Sequence, residues 1–266
     1  MKPQFGNGVT LVFDDMGPRG GTPVILIHGH PFNRTMWAPQ TAALTAVGYR
    51  VIAPDLRGYG DSPVVPGTAA FAGIADDLAA LLARLGIERV VVGGVSMGGQ
   101  IAMELRLRHP GLVRALVLSD TSPAPETEAG AELRRETAER LIAEGMRPYA
   151  EEVIDKMMAP YNVTGMPGTA ALVTRMMCAT DPQGAAAALR GRAERPDYRP
   201  VLARAAEPCL VLVGADDVFT PVAEAEALRD LLPHAELAVI EGAGHLPGLE
   251  RPEAFNRALL DFLGRL

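Results

Sequence analysis

A serine lies at the tip of a glycine-rich turn in the first half of the chain, where the sequence reads Gly94-Val-Ser96-Met-Gly98. Three valines before it predict a buried strand, and residues 100–109 after it have helical periodicity. This context fits a nucleophile elbow, because a helix N-terminus supplies free N–H groups where an oxyanion would form. The pattern predicts Ser96 as a catalytic nucleophile; the alternative is a glycine-rich turn that happens to contain a serine.

A serine hydroxyl is a poor nucleophile until a base takes its proton, so the elbow requires a histidine and a carboxylate elsewhere. Candidates follow two later apolar runs, where parallel strands are expected to end. Asp216 and Asp217 come after the run 209–213, and His245 lies on a glycine-flanked turn after the run 236–240. The chain order Ser, Asp, His is the one expected for this kind of elbow. The residues alone leave open which of the two aspartates is the acid.

Short apolar runs alternate with helical patterns from residue 24 onward. This alternation predicts an α/β fold in which a mostly parallel sheet is covered by helices on both faces. We expect strands near 24–27, 51–55, 90–92, 115–118, 209–213 and 236–240, with an edge strand at 9–13. Helices are expected over about 36–46 and 71–85, and from residue 100 to 109.

No strand pattern appears between Asp120 and about residue 206. Several helical patterns broken by proline and glycine fill this segment, so residues 122–206 are interpreted as a helical insertion over one end of the sheet. Most of its methionines are expected to pack in the core, with one or two lining a pocket. They are Met146, Met157, Met158, Met166, Met176 and Met177.

Composition excludes several classes of function. A chain of 266 residues with 48% hydrophobic and 21% charged residues is expected to fold as one main α/β domain. The net charge of −7 and the lack of a basic patch argue against a nucleic-acid partner. Residues 1–8 lack the apolar core of a signal peptide and no run is long enough to span a membrane, so we expect a cytoplasmic protein with no membrane partner.

Cys178 and Cys209 are expected to be buried free thiols. The oligomeric state stays open.

Five motifs in order along the chain resemble those of the α/β-hydrolase family. The resemblance covers nearly the whole chain. The motifs are His28-Gly29, Asp55-x-Arg57-Gly58-x-Gly60-x-Ser62, the elbow Gly94 to Gly98, Gly214-x-x-Asp217-x-x-Thr220-Pro221, and Gly244-His245 with Glu250-x-Pro252-x-x-Phe255 behind it. The resemblance implies an α/β-hydrolase core over residues 1–121 and 207–266, with 122–206 as the family's helical cap, inserted before the last two strands.

The resemblance also implies roles for individual residues. Ser96 is the nucleophile, Asp217 the orienting acid and His245 the base, and the backbone N–H groups of His30 and Met97 form the oxyanion hole. The pocket is expected to include Phe32, Trp37 and Phe219, although the simplest interpretation of Trp37 is a core residue.

Each assignment has a competitor. The family pattern favours Asp217 over Asp216, while Asp120 is a further candidate because some members place the acid after that strand. His28 and His30 form a pair that a metal could use, but no further ligand is close in sequence, so we expect neither a metal nor a cofactor. Instead, His28 is expected to order its loop, with the His30 side chain facing the pocket.

The predicted function is that of a serine hydrolase that cleaves a small carboxylic ester through an acyl-enzyme. A serine nucleophile, in place of aspartate, argues against the haloalkane dehalogenase and epoxide hydrolase branches. Alternatives within the family are an enol-lactonase that acts on a 3-oxoadipate-type lactone, a carbon–carbon bond hydrolase and a perhydrolase of the cofactor-free haloperoxidase type. A non-catalytic ligand-binding protein on the same fold is the alternative from another class.

The composition of the insertion predicts an apolar acyl site with no carboxylate clamp, because the segment is rich in methionine, alanine and leucine. Uncharged esters are then expected to be better substrates than analogues with a distal carboxylate. The exception would be an arginine that turns inward; the candidates are Arg175, Arg190, Arg192 and Arg195.

Overall fold

The fold is built on a central sheet. A computed structural model describes residues 9–65 and 67–266, and in them the sheet has seven strands in the order β1-β3-β2-β4-β5-β6-β7. The strand β1 runs antiparallel to β3, and the other neighbouring pairs are parallel. The strands are Phe13–Met16 (β1), Pro23–Ile27 (β2), Arg50–Pro54 (β3), Val90–Val95 (β4), Val113–Ser119 (β5), Cys209–Gly214 (β6) and Ala235–Ile240 (β7). The expected mostly parallel sheet is confirmed.

Helices cover both faces of this sheet. In the order of the chain they are Ala38–Ala46 (α1), Phe71–Arg84 (α2), Met97–Arg108 (α3), Glu128–Glu144 (α4), Met146–Met157 (α5), Pro160–Gly165 (α6), Pro167–Ala179 (α7), Pro182–Ala193 (α8), Arg199–Leu202 (α9), Val222–Leu231 (α10), Pro247–Glu250 (α11) and Pro252–Leu263 (α12). Two 3₁₀ turns, Arg34–Trp37 and Pro110–Leu112, precede α1 and β5.

The two faces of the sheet explain why its strands read as continuous apolar runs. Successive side chains of a strand point to opposite faces. On β2, Ile25 and Ile27 pack in the cluster that contains α2 and α3, whereas Val24 and Leu26 pack in the cluster that contains α12. Both sets are therefore buried, and a half-polar alternating strand would not fit between the helices.

Helices α4 to α9 lie between β5 and β6, in the segment where the sequence predicts an insertion. A small apolar cluster of their own joins α4, α5 and α8, and further side chains of α5 and α7 join the core cluster on the α12 face. Five of the six methionines of this segment are buried, and Met166 is half-buried. Core packing is thus their main role, as expected.

Two element boundaries differ from the sequence-based expectations. The edge strand occupies Phe13–Met16 instead of 9–13: these four residues pair with β3, and the Asp15 carboxylate adds an ion pair with the Arg50 guanidinium (Nε to Oδ1, 2.8 Å), so polar residues stand where an apolar run was expected. Helix α3 begins at Met97, directly after Ser96, so Gly98 and Gly99 lie inside the helix.

Three further expectations concern targeting and thiols. In the described part of the chain no helix combines the length and the apolar character needed to cross a membrane. The expectation about a signal peptide concerns residues 1–8, which lie outside the described residues. Both cysteines are free; Cys209 is buried, which raises the pKa of its thiol, and Cys178 is half-buried.

Candidate active site

The sharp turn at Ser96 depends on backbone contacts that leave no room for side chains. Ser96 itself has φ 55° and ψ −117°, a left-handed conformation that is costly for a residue with a side chain. A Cβ on Gly94 would lie 2.3 Å from the Gly98 carbonyl, and one on Gly98 would lie 2.2 Å from the carbonyl oxygen of Ile27. The first glycine is therefore required by the close approach of α3, and the second by the contact of the turn with β2.

The loops after β6 and β7 bring an acid and a histidine together. The Nδ1 atom of His245 lies 2.8 Å from Oδ2 of Asp217, and both side chains are buried. The other carboxylate oxygen of Asp217 accepts a hydrogen bond of 2.8 Å from the Phe219 N–H, which fixes the carboxylate. Because Asp217 holds Nδ1, the Nε2 atom of His245 is left for the cavity that Ser96 also lines.

The competing acids occupy different places. Asp216 is exposed and accepts a hydrogen bond from the Tyr161 hydroxyl, so it points away from His245. Asp120 is buried directly beside Asp217, and its pKa is raised well above the ordinary value by burial and then by the negative charge of Asp217. Of the two aspartates after β6, Asp217 is the one that contacts His245, and Asp120 is a second, protonatable acid beside it.

Asp120, Asp217 and His245 form a group of the kind that can ligate a divalent cation, since their ligand atoms all lie within 4.8 Å of one another. Their atoms already have other partners. Besides the bond between His245 and Asp217, one Asp120 oxygen accepts a 2.9 Å hydrogen bond from the Gly214 N–H. These hydrogen bonds describe a histidine held by Asp217, with Asp120 as a second acid beside that aspartate.

The loop after β2 carries the second predicted oxyanion donor. The register of the parallel pair β2 and β4 matches Ile27 with Gly94, and a Cβ on Gly29 would lie 3.5 Å from that of Ser96, so this loop passes beside the serine turn. The His28 ring orders this loop, as expected: Nδ1–H donates to the Gly29 carbonyl (2.9 Å) and Nε2 accepts from the Leu56 N–H (3.0 Å). The peptide bond between His30 and Pro31 is cis.

The N–H of Met97 is the other predicted oxyanion donor. Met97 is the first residue of α3, and the N–H groups of a first helical turn have no partner within the helix. The Met97 N–H is therefore free to bind a group placed beside Ser96.

A cavity of about 570 Å³ opens above Ser96. Helices α4, α5 and α8 of the insertion contribute much of its wall, together with loops after β5, β6 and β7. The expectation of an apolar acyl site is corrected, because many lining side chains are charged: Glu126, Arg134, Arg140, Glu152, Lys156, Arg192 and Arg195. The insertion thus directs side chains of both charges toward the site. Of its methionines, Met157 lines the cavity.

The predicted pocket residues divide into two groups. Phe219 lines the cavity, with its ring centre 4.9 Å from that of His245. Phe32 and Trp37 do not line it, and these two expectations are corrected. Both are buried in the core cluster on the α12 face, where Trp37 packs against Phe255, because the 3₁₀ turn after the loop directs them into the sheet.

The four arginine candidates also separate. Arg175 is exposed, and Arg190 is paired with Glu139 (2.7 Å) outside the cavity wall. Arg192 and Arg195 line the cavity. Arg190 and Arg192 lie two positions apart on α8 and therefore point to opposite sides of the helix. The sequence pattern alone could not resolve which of them faces the cavity.

Sequence reasoning missed the role of Glu250, which is buried behind the His245 loop. Its Oε1 accepts hydrogen bonds from the N–H groups of Gly244 (2.9 Å) and Leu246 (3.3 Å), the two neighbours of His245. Glu250 belongs to the motif Glu250-x-Pro252-x-x-Phe255 that follows His245 in the sequence. The spacing of this motif does not indicate that the Glu250 carboxylate turns back onto the His245 loop.

Comparisons with known proteins agree with the observed fold. A family model described as alpha/beta hydrolase fold matches residues 22–252. The chain is 29% identical to a 3-oxoadipate enol-lactonase of Acinetobacter baylyi (94% of this chain, 92% of that protein) and 31% identical to a non-heme chloroperoxidase of Kitasatospora aureofaciens (97% and 98%). A thermophilic esterase from Thermogutta terrifontis, solved with malate bound, superposes with a TM-score of 0.96 at 39% identity (100% and 98% covered).

Proposed function

The chain belongs to the alpha/beta hydrolase family, and on that premise we propose that it is a serine hydrolase that cleaves a carboxylic ester through an acyl-enzyme. One observation carries the proposal. His245 is held by Asp217 through a 2.8 Å hydrogen bond at the wall of the cavity that Ser96 lines. A buried histidine fixed at Nδ1 and open at Nε2 is what a serine needs as a base.

The proposed reaction uses these groups in two steps. Ser96 Oγ attacks the ester carbonyl carbon while His245 Nε2 takes the hydroxyl proton, and the N–H groups of His30 and Met97 stabilise the oxyanion. The intermediate collapses, the alkoxide takes the proton from His245, and the alcohol leaves. Water then adds to the acyl carbon, passes one proton through His245 to Ser96 Oγ, and releases the acid.

The oxyanion donors are the larger electrostatic contribution in such a site. Loss of one donor typically costs about 10²- to 10³-fold in kcat. Asp217 contributes by keeping the correct tautomer of His245, which is the role of the triad acid. We assign Asp120 no step of the reaction.

Two relatives suggest assays beyond simple esters. Because one is named an enol-lactonase and another a chloroperoxidase, lactones and peracid formation belong in the same screen as alkyl esters. Carbon–carbon bond cleavage is a further reaction to test. Binding without turnover would instead favour the non-catalytic alternative.

The two free thiols fit a reducing compartment, so we also propose a cytoplasmic location.

The test combines a substitution with covalent labelling. Ser96→Ala is expected to reduce 4-nitrophenyl butyrate hydrolysis to background while thermal unfolding stays near wild type. A fluorophosphonate is expected to label Ser96 and to leave Ser122, another serine on the cavity wall, unmodified. Arg114 separates the two serines, so trypsin places them on different peptides for mass spectrometry. Near wild-type turnover in Ser96→Ala, or labelling of Ser122 alone, would refute the proposal.

A further inference from the structure

A cationic side chain lines the cavity without a carboxylate partner. The guanidinium of Arg192, on α8, donates from Nε to the Gln100 side-chain oxygen at 3.0 Å. Across residues 9–65 and 67–266, no aspartate or glutamate oxygen lies within ion-pair distance of it. Its neighbours differ, because Arg134 and Arg195 both pair with Glu126.

The surroundings of Arg192 are short of negative charge. Burial in the cavity wall, followed by the positive charges of Arg134 and Arg195, lowers the pKa of Arg192 to about 9. Glu126 opposes this effect but is shared by the other two arginines. Arg192 is still protonated at neutral pH, and an anion in the cavity would relieve the excess positive charge.

A second unpartnered donor lies on the same wall. Nδ1 of His30 is 2.8 Å from the Tyr59 hydroxyl, and its Nε2 is buried with no partner in the part of the chain that the structure describes. The buried Tyr59 hydroxyl has no other acceptor among these residues, so it donates to Nδ1 and the ring proton sits on Nε2. Burial and the charge of Arg192 hold the pKa of His30 well below its ordinary value, so the ring is a neutral donor.

Both donors line the cavity that Ser96 also lines. Gln100, the partner of Arg192, lies one helical turn after Ser96, and its N–H donates to the Ser96 carbonyl. Four residues of helix correspond to a rise of about 6 Å. The His30 ring belongs to the residue whose backbone N–H is the proposed oxyanion donor. A group bound by both side chains would therefore be only a few bonds from the scissile carbonyl.

We propose that the Arg192 guanidinium and the Nε2–H of His30 form a carboxylate-binding subsite, and that the substrate is an ester or lactone whose acyl chain ends in a carboxylate a few carbons from the scissile carbonyl. The planar guanidinium fork suits a carboxylate, and one unpaired cation with one neutral donor matches a single negative charge. The inference rests on the proposed function, because Ser96 supplies the nucleophile. For an acid monoester, water adds to the acyl carbon, and the products are a dicarboxylic acid and the alcohol.

The experiment compares two ethyl esters of nearly equal shape by pH-stat. Monoethyl succinate carries the distal carboxylate, and ethyl 4-methylpentanoate replaces it with an isopropyl group. The wild type is expected to favour monoethyl succinate by roughly 10- to 150-fold in kcat/KM, as expected for hydrogen bonds to a charged group. Arg192→Met is expected to abolish this preference, mainly through KM, with less than a threefold change for the neutral ester.

Two further variants separate recognition from folding. Arg192→Lys keeps the charge but loses the fork and is expected to retain part of the preference. Arg190→Met removes an arginine from the same helix outside the cavity wall and is expected to retain all of it. Should Arg192→Met fail to fold, product inhibition of the wild type decides: succinate is expected to inhibit at a concentration at least tenfold below that of 4-methylpentanoate.

Each result has one meaning. Equal losses on both esters in Arg192→Met would assign Arg192 a structural role through Gln100 and overturn the subsite. A wild type that favours the neutral ester, or is inhibited equally by both acids, would overturn it as well. Failure of the proposed function is distinct, because Ser96→Ala would then keep its activity on both esters.

Discussion

Glu250 offers a sharp test of how the His245 loop is held. Its carboxylate is buried, and all four of its hydrogen-bond partners are donors. They are the N–H groups of Gly244 (2.9 Å), Leu246 (3.3 Å) and Ala159 (2.9 Å), and the side-chain amide of Asn162 (2.7 Å). The same carboxylate thus fixes both neighbours of His245 and joins them to the insertion.

The perturbation is Glu250→Gln, which preserves shape but turns one acceptor into a donor. In either orientation of the amide, two of the four donors lose their acceptor. A buried donor left unsatisfied costs about 1–3 kcal/mol, so the free energy of unfolding should fall by about 2–6 kcal/mol. For a chain of this size, about 2–4 °C per kcal/mol gives a Tm lower by roughly 4–24 °C. A His245 misplaced by about 1 Å would lower kcat up to about 10²-fold.

The assay is thermal unfolding of the purified protein, with kcat for an ethyl ester measured at a temperature where every variant is folded. Glu253→Gln is the matched control, since Glu253 is exposed in the first turn of α12 and its change should leave Tm within about 2 °C. A Glu250→Gln variant with wild-type Tm and kcat would refute the reasoning. An equal loss in both variants would show that general charge in this region matters, and not the hydrogen bonds.

Three further predictions follow from the site. Asp217→Asn should lower kcat by up to about 10⁴-fold, because the tautomer of the base is lost, whereas Asp216→Asn should stay within about threefold; equal losses would contradict the assignment. Asp120 has a raised pKa in the folded state, so its stabilising contribution is complete below its unfolded value of 3.8 and is lost as pH rises toward the folded value. Urea unfolding should therefore show Asp120→Asn gaining stability relative to wild type between pH 4 and pH 7; a constant difference would rule this out. Gly98→Ala should cost at least about 3 kcal/mol by clashing with a β2 carbonyl, while Gly168→Ala, which meets no atom within 4 Å, should change the unfolding free energy by less than about 1 kcal/mol.

The sequence was sufficient to predict the sheet and to place the candidate nucleophile, acids and histidine after its strands, because both depend on local rules, whereas the choice of Asp217 over Asp216 came from the family resemblance. Each buried parallel strand must be apolar on both sides, so its run is visible without a partner. Ser96, Asp217 and His245 each follow such a run, and parallel strands bring their carboxyl ends to one edge of the sheet. The start of α3 was misplaced because glycines normally read as a turn, whereas here they permit the helix to begin against β2.

The wall of the cavity could not be predicted, because it depends on how helices face one another across long separations in the chain. Arg190 and Arg192 are two positions apart on α8, about 200° around the helix, so one points outward to Glu139 and the other into the cavity. The amino-acid composition of the segment does not distinguish these two arginines. The direction of α8 is set by its packing against α4 and by the bond from Arg192 to Gln100. That bond uses only Nε, so the rest of the guanidinium remains available to a ligand, and the insertion that appeared apolar in sequence presents a cation bound to Gln100, the residue one helical turn after Ser96.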